Sequence, residues 1–163
     1  MAHEVVPDDS VVRFAGEHAH KDSIYSVAFF PKEPYNTFIS GDCDDKALVW
    51  KVIKDDSPVG EEEKKEGEDQ PRMRVKSVFH KSLPGHTETV EFIKFNHDAK
   101  LMATAGMNNQ IRIWNTENDF SLKCALEDGP SEDLNFLEWH PKGNVLITGG
   151  KDLLIWMFNG QNG

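Results

Sequence analysis

An all-β fold assembled from repeated small sheets is what this sequence predicts, on three observations. Three segments, residues 20–50, 86–114 and 132–156, follow one pattern, and each ends in a tryptophan: Trp50, Trp114 and Trp156. Each has an alternating apolar run, a Pro-, Asp- or Gly-bearing turn, a second apolar run ending in small residues, then a polar turn and a third run. No stretch sustains the helical period of apolar residues.

The spacing sharpens this. Trp50 and Trp114 are 64 residues apart, and Trp114 and Trp156 are 42 apart. The longer gap contains a polar insert of 18 residues, 55–72, and is 46 residues without it. Both values lie near the about 40–45 residues of a four-stranded propeller blade.

Taken in order, residues 1–9 form a tail and "SVVRF" (10–14) reads as an outer strand. In "SIYSVAFF", Ile24, Ser26, Ala28 and Phe30 share one face, and Tyr25, Val27 and Phe29 the other. In "ETVEFIKFN", Val90, Phe92, Lys94 and Asn96 oppose Glu91, Ile93 and Phe95. Neither strand alternates cleanly, which suits strands packed between two neighbouring sheets. "VKSVFHKSL" (75–83) and "FSLKCAL" (120–126) are more polar, as expected of outer strands. Blade 1 therefore spans about 20–83, blade 2 about 84–128, and blade 3 about 129–163, the last without its outer strand.

Composition bounds the function. The 163 residues carry a formal charge of −10, which disfavours direct nucleic-acid binding and favours a basic protein partner. The two cysteines, Cys43 and Cys124, fit a reducing compartment rather than a disulfide framework. No apolar run is long enough for a membrane helix, and the N-terminus lacks a signal-peptide pattern. The expected location is the cytoplasm, with the nucleus as a second compartment.

The Gly85-His86 pair that opens the second repeat, and the three terminal tryptophans, resemble WD40 repeats. The residues after those tryptophans are Lys51, Asn115 and Met157, so the two-letter signature itself is absent. The resemblance implies a buried polar tetrad of His, Ser/Thr, Asp and Trp in each blade. It maps onto His20, Ser40, Asp44 and Trp50 in the first repeat, and onto His86, Thr104, Asn108 and Trp114 in the second. The third keeps Asp152 and Trp156 across a turn read as two residues shorter, with Pro130 where the histidine would be. Such a chain satisfies buried polar groups that otherwise lack partners.

Strings such as "GDCDDKALVW", "LNFLEWHP" and "IWMFNGQNG" are similar to the first blades of the angio-associated migratory cell protein family. That similarity implies a ring of about seven blades, of which this chain would be a fragment. The alternative is a short chain that completes a ring by self-association, because open blade faces need covering. The fungal branch implies chaperoning of a basic ribosomal protein during large-subunit assembly. The animal branch implies a migration or signalling scaffold. A ubiquitin-ligase substrate receptor is a further alternative, though no adaptor-binding segment is visible.

Two candidate regions follow. The acidic insert holds Glu61, Glu62, Glu63, Glu66, Glu68 and Asp69, and carries half of the formal charge. It reads as a solvated loop, or as a steering surface for a basic client. Positions through which the family binds partners map onto Ser23, Tyr25 and Cys43, onto Thr89, Glu91 and Met107, and onto Asp133, Asn135 and Lys151. Here Tyr25 and Met107 would anchor a peptide, and Glu91 with Asp133 would pair Arg or Lys. His18 and His20 beside Glu17 invite a metal reading, but no third ligand is evident. No nucleophile elbow, phosphate loop or paired-acid arrangement occurs, so neither an enzyme nor a cofactor is expected.

Overall fold

The computed structural model describes residues 20–55, 75–126 and 128–162. The outer strand expected at 10–14, and Glu61, Glu62, Glu63, Glu66, Glu68 and Asp69 of the insert, lie outside them.

Eleven strands among these residues make three antiparallel sheets. The first orders β1 (Ile24–Phe29), β2 (Thr37–Asp42), β3 (Ala47–Lys54) and β4 (Val75–Leu83). The second orders β5 (Val90–Phe95), β6 (Leu101–Gly106), β7 (Ile111–Asn115) and β8 (Ser121–Leu126). The third holds β9 (Leu134–Trp139), β10 (Val145–Gly150) and β11 (Ile155–Asn159). Each strand pairs with its sequence neighbour, so each sheet is a meander that a local turn can register.

The sheets stack as the blades of a partial propeller, with β5 lying between the first strands of the flanking sheets. Ile39, Val49 and Leu83 of the first sheet pack on Ile93, Met102 and Trp114 of the second. The second sheet's opposite face, through Ala103, Ala105, Ile111 and Ile113, packs on Leu137, Trp139 and Leu146 of the third. Burying each large side chain contributes about 1.5–3 kcal/mol, so the two interfaces hold the stack together. Polar ties cross the same interfaces: Ser26 Oγ donates to the Val90 carbonyl at 2.9 Å, and Trp139 Nε1 to the Lys94 carbonyl at 3.0 Å. The first contact is close because residue 41 is glycine, and a Cβ there would sit 2.6 Å from both Ser26 Oγ and the Val90 carbonyl oxygen.

The mixed strand faces resolve by position. The central β6 is buried throughout. In β1 only one face is covered: Ala28, with Phe30 just past the strand, packs on the second sheet, whereas Val27 and Phe29 (64% exposed) point away from it. The third sheet's outward face likewise exposes Ile155 and Met157.

Candidate functional site

The buried polar networks set the end of each sheet at which loops gather. In the first blade, Trp50 Nε1 donates to Ser40 Oγ at 2.8 Å, and Ser40 Oγ lies 2.5 Å from His20 Nε2. His20 Nδ1 bonds the Asp42 carboxylate, which makes Nδ1 the protonated nitrogen and Nε2 the acceptor for the serine hydroxyl. The other Asp42 oxygen accepts the backbone N–H groups of Asp44 and Lys46, at 3.0 and 2.9 Å.

The acid of this network is therefore Asp42, not Asp44 as the sequence pattern suggests. Asp42 ends β2 on the buried side and is fully enclosed, whereas Asp44 lies on the exposed turn and bonds Lys46.

The second blade repeats the chain only in part. Trp114 Nε1 donates to Thr104 Oγ1 at 2.8 Å, and Thr104 Oγ1 lies 2.7 Å from His86 Nε2. Asn108 does not complete it: its amide donates to Thr87 Oγ1 at 2.9 Å, and its oxygen accepts the Gln110 N–H. At the place of Asp42 stands Gly106, and His86 Nδ1 is buried without a hydrogen-bond partner among the described residues. Burial, helped by the positive charge of Arg112, lowers the His86 pKa to about 4. Gly85 lets this segment pass tightly. Its φ is +110°, and a Cβ would lie 2.7 Å from the Arg112 guanidinium, which itself donates to the Gly85 carbonyl at 2.7 Å.

The third blade corrects two expectations. Its β10–β11 turn is not shorter: five residues separate Gly149 from Ile155, as they separate Gly41 from Ala47 and Ala105 from Ile111. Nor does Trp156 occupy the tetrad position. Trp50 pairs with Phe38 and Trp114 with Met102, and the matching pair here is Leu146 with Phe158. Trp156 stands two residues earlier, opposite Thr148, and its Nε1 donates to Asp152 Oδ2 at 2.8 Å. That bond and the Leu154 N–H hold the Asp152 carboxyl below its ordinary pKa. Thr148 Oγ1 turns instead to the Phe136 carbonyl, at 2.6 Å. Residues two apart on a strand share a face, so Trp156 stacks beside Phe158 with ring centroids 6.2 Å apart.

Above these networks, the start of each first strand meets the second turn of its sheet. The N–H of Cys43 donates to the Ser23 carbonyl, that of Met107 to Thr89, and that of Lys151 to Asp133, all at 2.9–3.0 Å. In each blade the ladder skips one residue beside this bond. The skipped residues are Tyr25, between Ile24 and Ser26, Glu91, between Val90 and Phe92, and Asn135, between Leu134 and Phe136. A β-bulge re-aims a side chain out of the strand's alternation, so the same device presents an aromatic, an acid and an amide on successive blades. Tyr25 is 53% exposed and Met107 44% exposed, while Thr89 is buried.

The acids of this rim differ. Asp133 already bonds Lys151 at 2.5 Å, which lowers the carboxyl pKa and raises that of the amine. Glu91 makes no such bond among the described residues. Partial burial, then the nearby Asp133 charge, raise its pKa, opposed by Lys151. Tyr25, Glu91, Asn135, Asp133 and Lys151 are among the positions mapped from the family resemblance; the bulge that the first three share and the pairing of the last two are what pattern matching did not show.

The model of the family described as "WD domain, G-beta repeat" matches residues 11–51, 77–115 and 122–159. The chain belongs to the WD40 family. Each WD40 match ends one residue after the ladder position of Trp50, Trp114 and Phe158, in keeping with the register above. The human angio-associated migratory cell protein is 32% identical over 158 residues, covering 96% of this chain and 29% of its own length. Protein HIR1 of Cryptococcus neoformans is 22% identical over 171 residues, covering 96% of this chain and 18% of its own. The chain thus spans under a third of these relatives. Among solved structures, Saccharomyces cerevisiae Sqt1 superposes with a TM-score of 0.63 at 19% identity, covering 86% of this chain and 32% of its own. U3-55K gives 0.63 at 16% identity, covering 86% and 37%. At those identities the structures speak for the propeller fold alone.

Proposed function

We propose that this WD40 chain is a non-enzymatic interaction scaffold whose turn-side rim holds a basic protein partner. The observation that carries it is the bulge repeated in all three blades, which turns Tyr25, Glu91 and Asn135 out of the ladder at one place. Bulges gather where a sheet presents side chains for function. Glu91 is half-buried and makes no ion pair among the described residues. A partly desolvated carboxylate pairs a partner's Arg or Lys more strongly than an exposed one does. The formal charge of −10 supports attraction of a basic partner over distance.

The sharper form of the proposal is chaperoning of a basic ribosomal protein in the cytoplasm during large-subunit assembly. It is supported by the similarity to the angio-associated migratory cell protein family and its fungal branch. Affinity purification from cytosol tests it, with the Glu91→Lys/Asp133→Lys variant run in parallel. The expected result is one stoichiometric basic ribosomal protein, lost in the double variant while the fold is retained. Recovery of ligase subunits, or equal recovery on the variant, overturns it.

A further inference from the structure

The ladder register matches the three blades residue by residue, and by that match one interface is built twice within the chain. Ile39 opposite Val49 and Gly41 opposite Ala47 in the first sheet correspond to Ala103 opposite Ile113 and Ala105 opposite Ile111 in the second. Each set turns its face to the blade that follows, and Ile39, Val49, Ala103 and Ile113 are fully buried there. The receiving face is as regular. Ile93 of β5 and Leu137 of β9 stand opposite Thr104 and Thr148, and Phe95 and Trp139 stand opposite Met102 and Leu146. Ile93 and Leu137 are buried against the blade before them.

Each face occurs a third time, and there it is open. In the third blade Ile147 opposite Met157 and Gly149 opposite Ile155 hold the giving positions, yet Met157 is 69% and Ile155 75% exposed. In the first blade Val27 opposite Ser40 and Phe29 opposite Phe38 hold the receiving positions, and they are 61% and 64% exposed. None of these residues is charged. Contiguous exposed apolar faces mark association surfaces. The two contacts inside the chain say what fits each: a giving face is covered by a receiving face, through the same ladder positions. The chain itself carries the missing half of both contacts.

We propose that a second copy of this chain covers both open faces, the Ile155–Met157 face of each copy seating the Val27–Phe29 face of the other. The contact continues the inter-blade packing from one chain to the next. It joins unlike faces, so it either closes into a ring or runs on as an open chain. Two copies of three blades make six, within the roughly four to eight blades that close a propeller, and the closed dimer is the form assigned. This surface is separate from the rim, so it stands or falls independently of partner binding there.

Sedimentation velocity of the full chain, from about 1 to about 100 μM, tests the pairing. The expected species has twice the 18.5 kDa mass of the chain and grows no further with concentration. A monomer throughout overturns the pairing, and continued growth overturns the closed ring. Val27→Lys and Met157→Lys each charge one open face at an exposed position, and circular dichroism checks that the fold is kept. Each variant alone dimerises at least about tenfold more weakly, because the contact would bury an unpaired charge. An equimolar mixture regains a dimer: the Val27 variant keeps its third-blade face, and the Met157 variant keeps its first-blade face. Undiminished dimers of either variant alone, or a mixture no better than its components, overturn the joining of unlike faces. Leu122→Lys, at an exposed apolar residue of the middle blade, leaves the dimer unchanged. An equal loss there would show general adhesion and defeat the proposal.

Discussion

In the first blade, both nitrogens of the buried imidazole are bonded; in the second, one has no partner among the described residues. The strands, the hydroxyl and the tryptophan correspond, and the difference comes down to Asp42 against Gly106. The acid does two jobs from one carboxylate, fixing the tautomer of His20 and collecting the turn N–H groups of Asp44 and Lys46. The glycine leaves the turn to Asn108 and leaves His86 neutral and pH-sensitive. One backbone position, outside the pattern normally read for this motif, therefore decides whether a blade's network is closed.

The largest expected effect comes from opening the closed network. Asp42→Ala strands His20 Nδ1 and two turn N–H groups, and costs about 4 kcal/mol in chemical denaturation. A loss below about 1 kcal/mol would show that the carboxylate is dispensable. The second effect is on the open network. His86 has a folded pKa of about 4 against 6.5 as its ordinary value. The unfolded chain then binds the proton first, so stability is full above pH 6.5 and falls as pH drops toward 4, by about 3 kcal/mol. Gly106→Asp tests the cause. A Cβ there lies 3.2 Å from His86 Nδ1 and meets only the movable Asn108 amide more closely. This variant raises the His86 pKa in an imidazole titration and flattens the acid-side loss. An unmoved pKa would mean that the new carboxylate fails to reach the ring. The smallest effect belongs to the third blade. Trp156→Phe removes the bond to Asp152, so the Asp152 pKa rises toward its ordinary value while the unfolding midpoint barely moves.

The strands and their grouping into blades were legible because alternation and turn residues are local signals. So was the hydroxyl–tryptophan link, since Ser40 to Trp50 and Thr104 to Trp114 both span ten residues. Counting ten from Thr148 reaches Phe158. Trp156 is the more conspicuous residue, and because residues two apart share a face the pattern tolerates either. Asp42 and Asp44 posed the same ambiguity at a strand end, where only the burial of the β2 terminus separates them. The bulges left no mark in composition: Tyr25, Glu91 and Asn135 have nothing in common except their place in the ladder.

That lack of common chemistry has a consequence for how the family can change. Tyr25 and Asn135 are exposed, Glu91 is half-buried, and none of the three belongs to an inter-blade cluster, so replacing one leaves the folding of its blade nearly untouched. Three such positions on adjacent blades form a short alphabet that can be rewritten one letter at a time, altering what the proposed rim presents while the propeller stays the same.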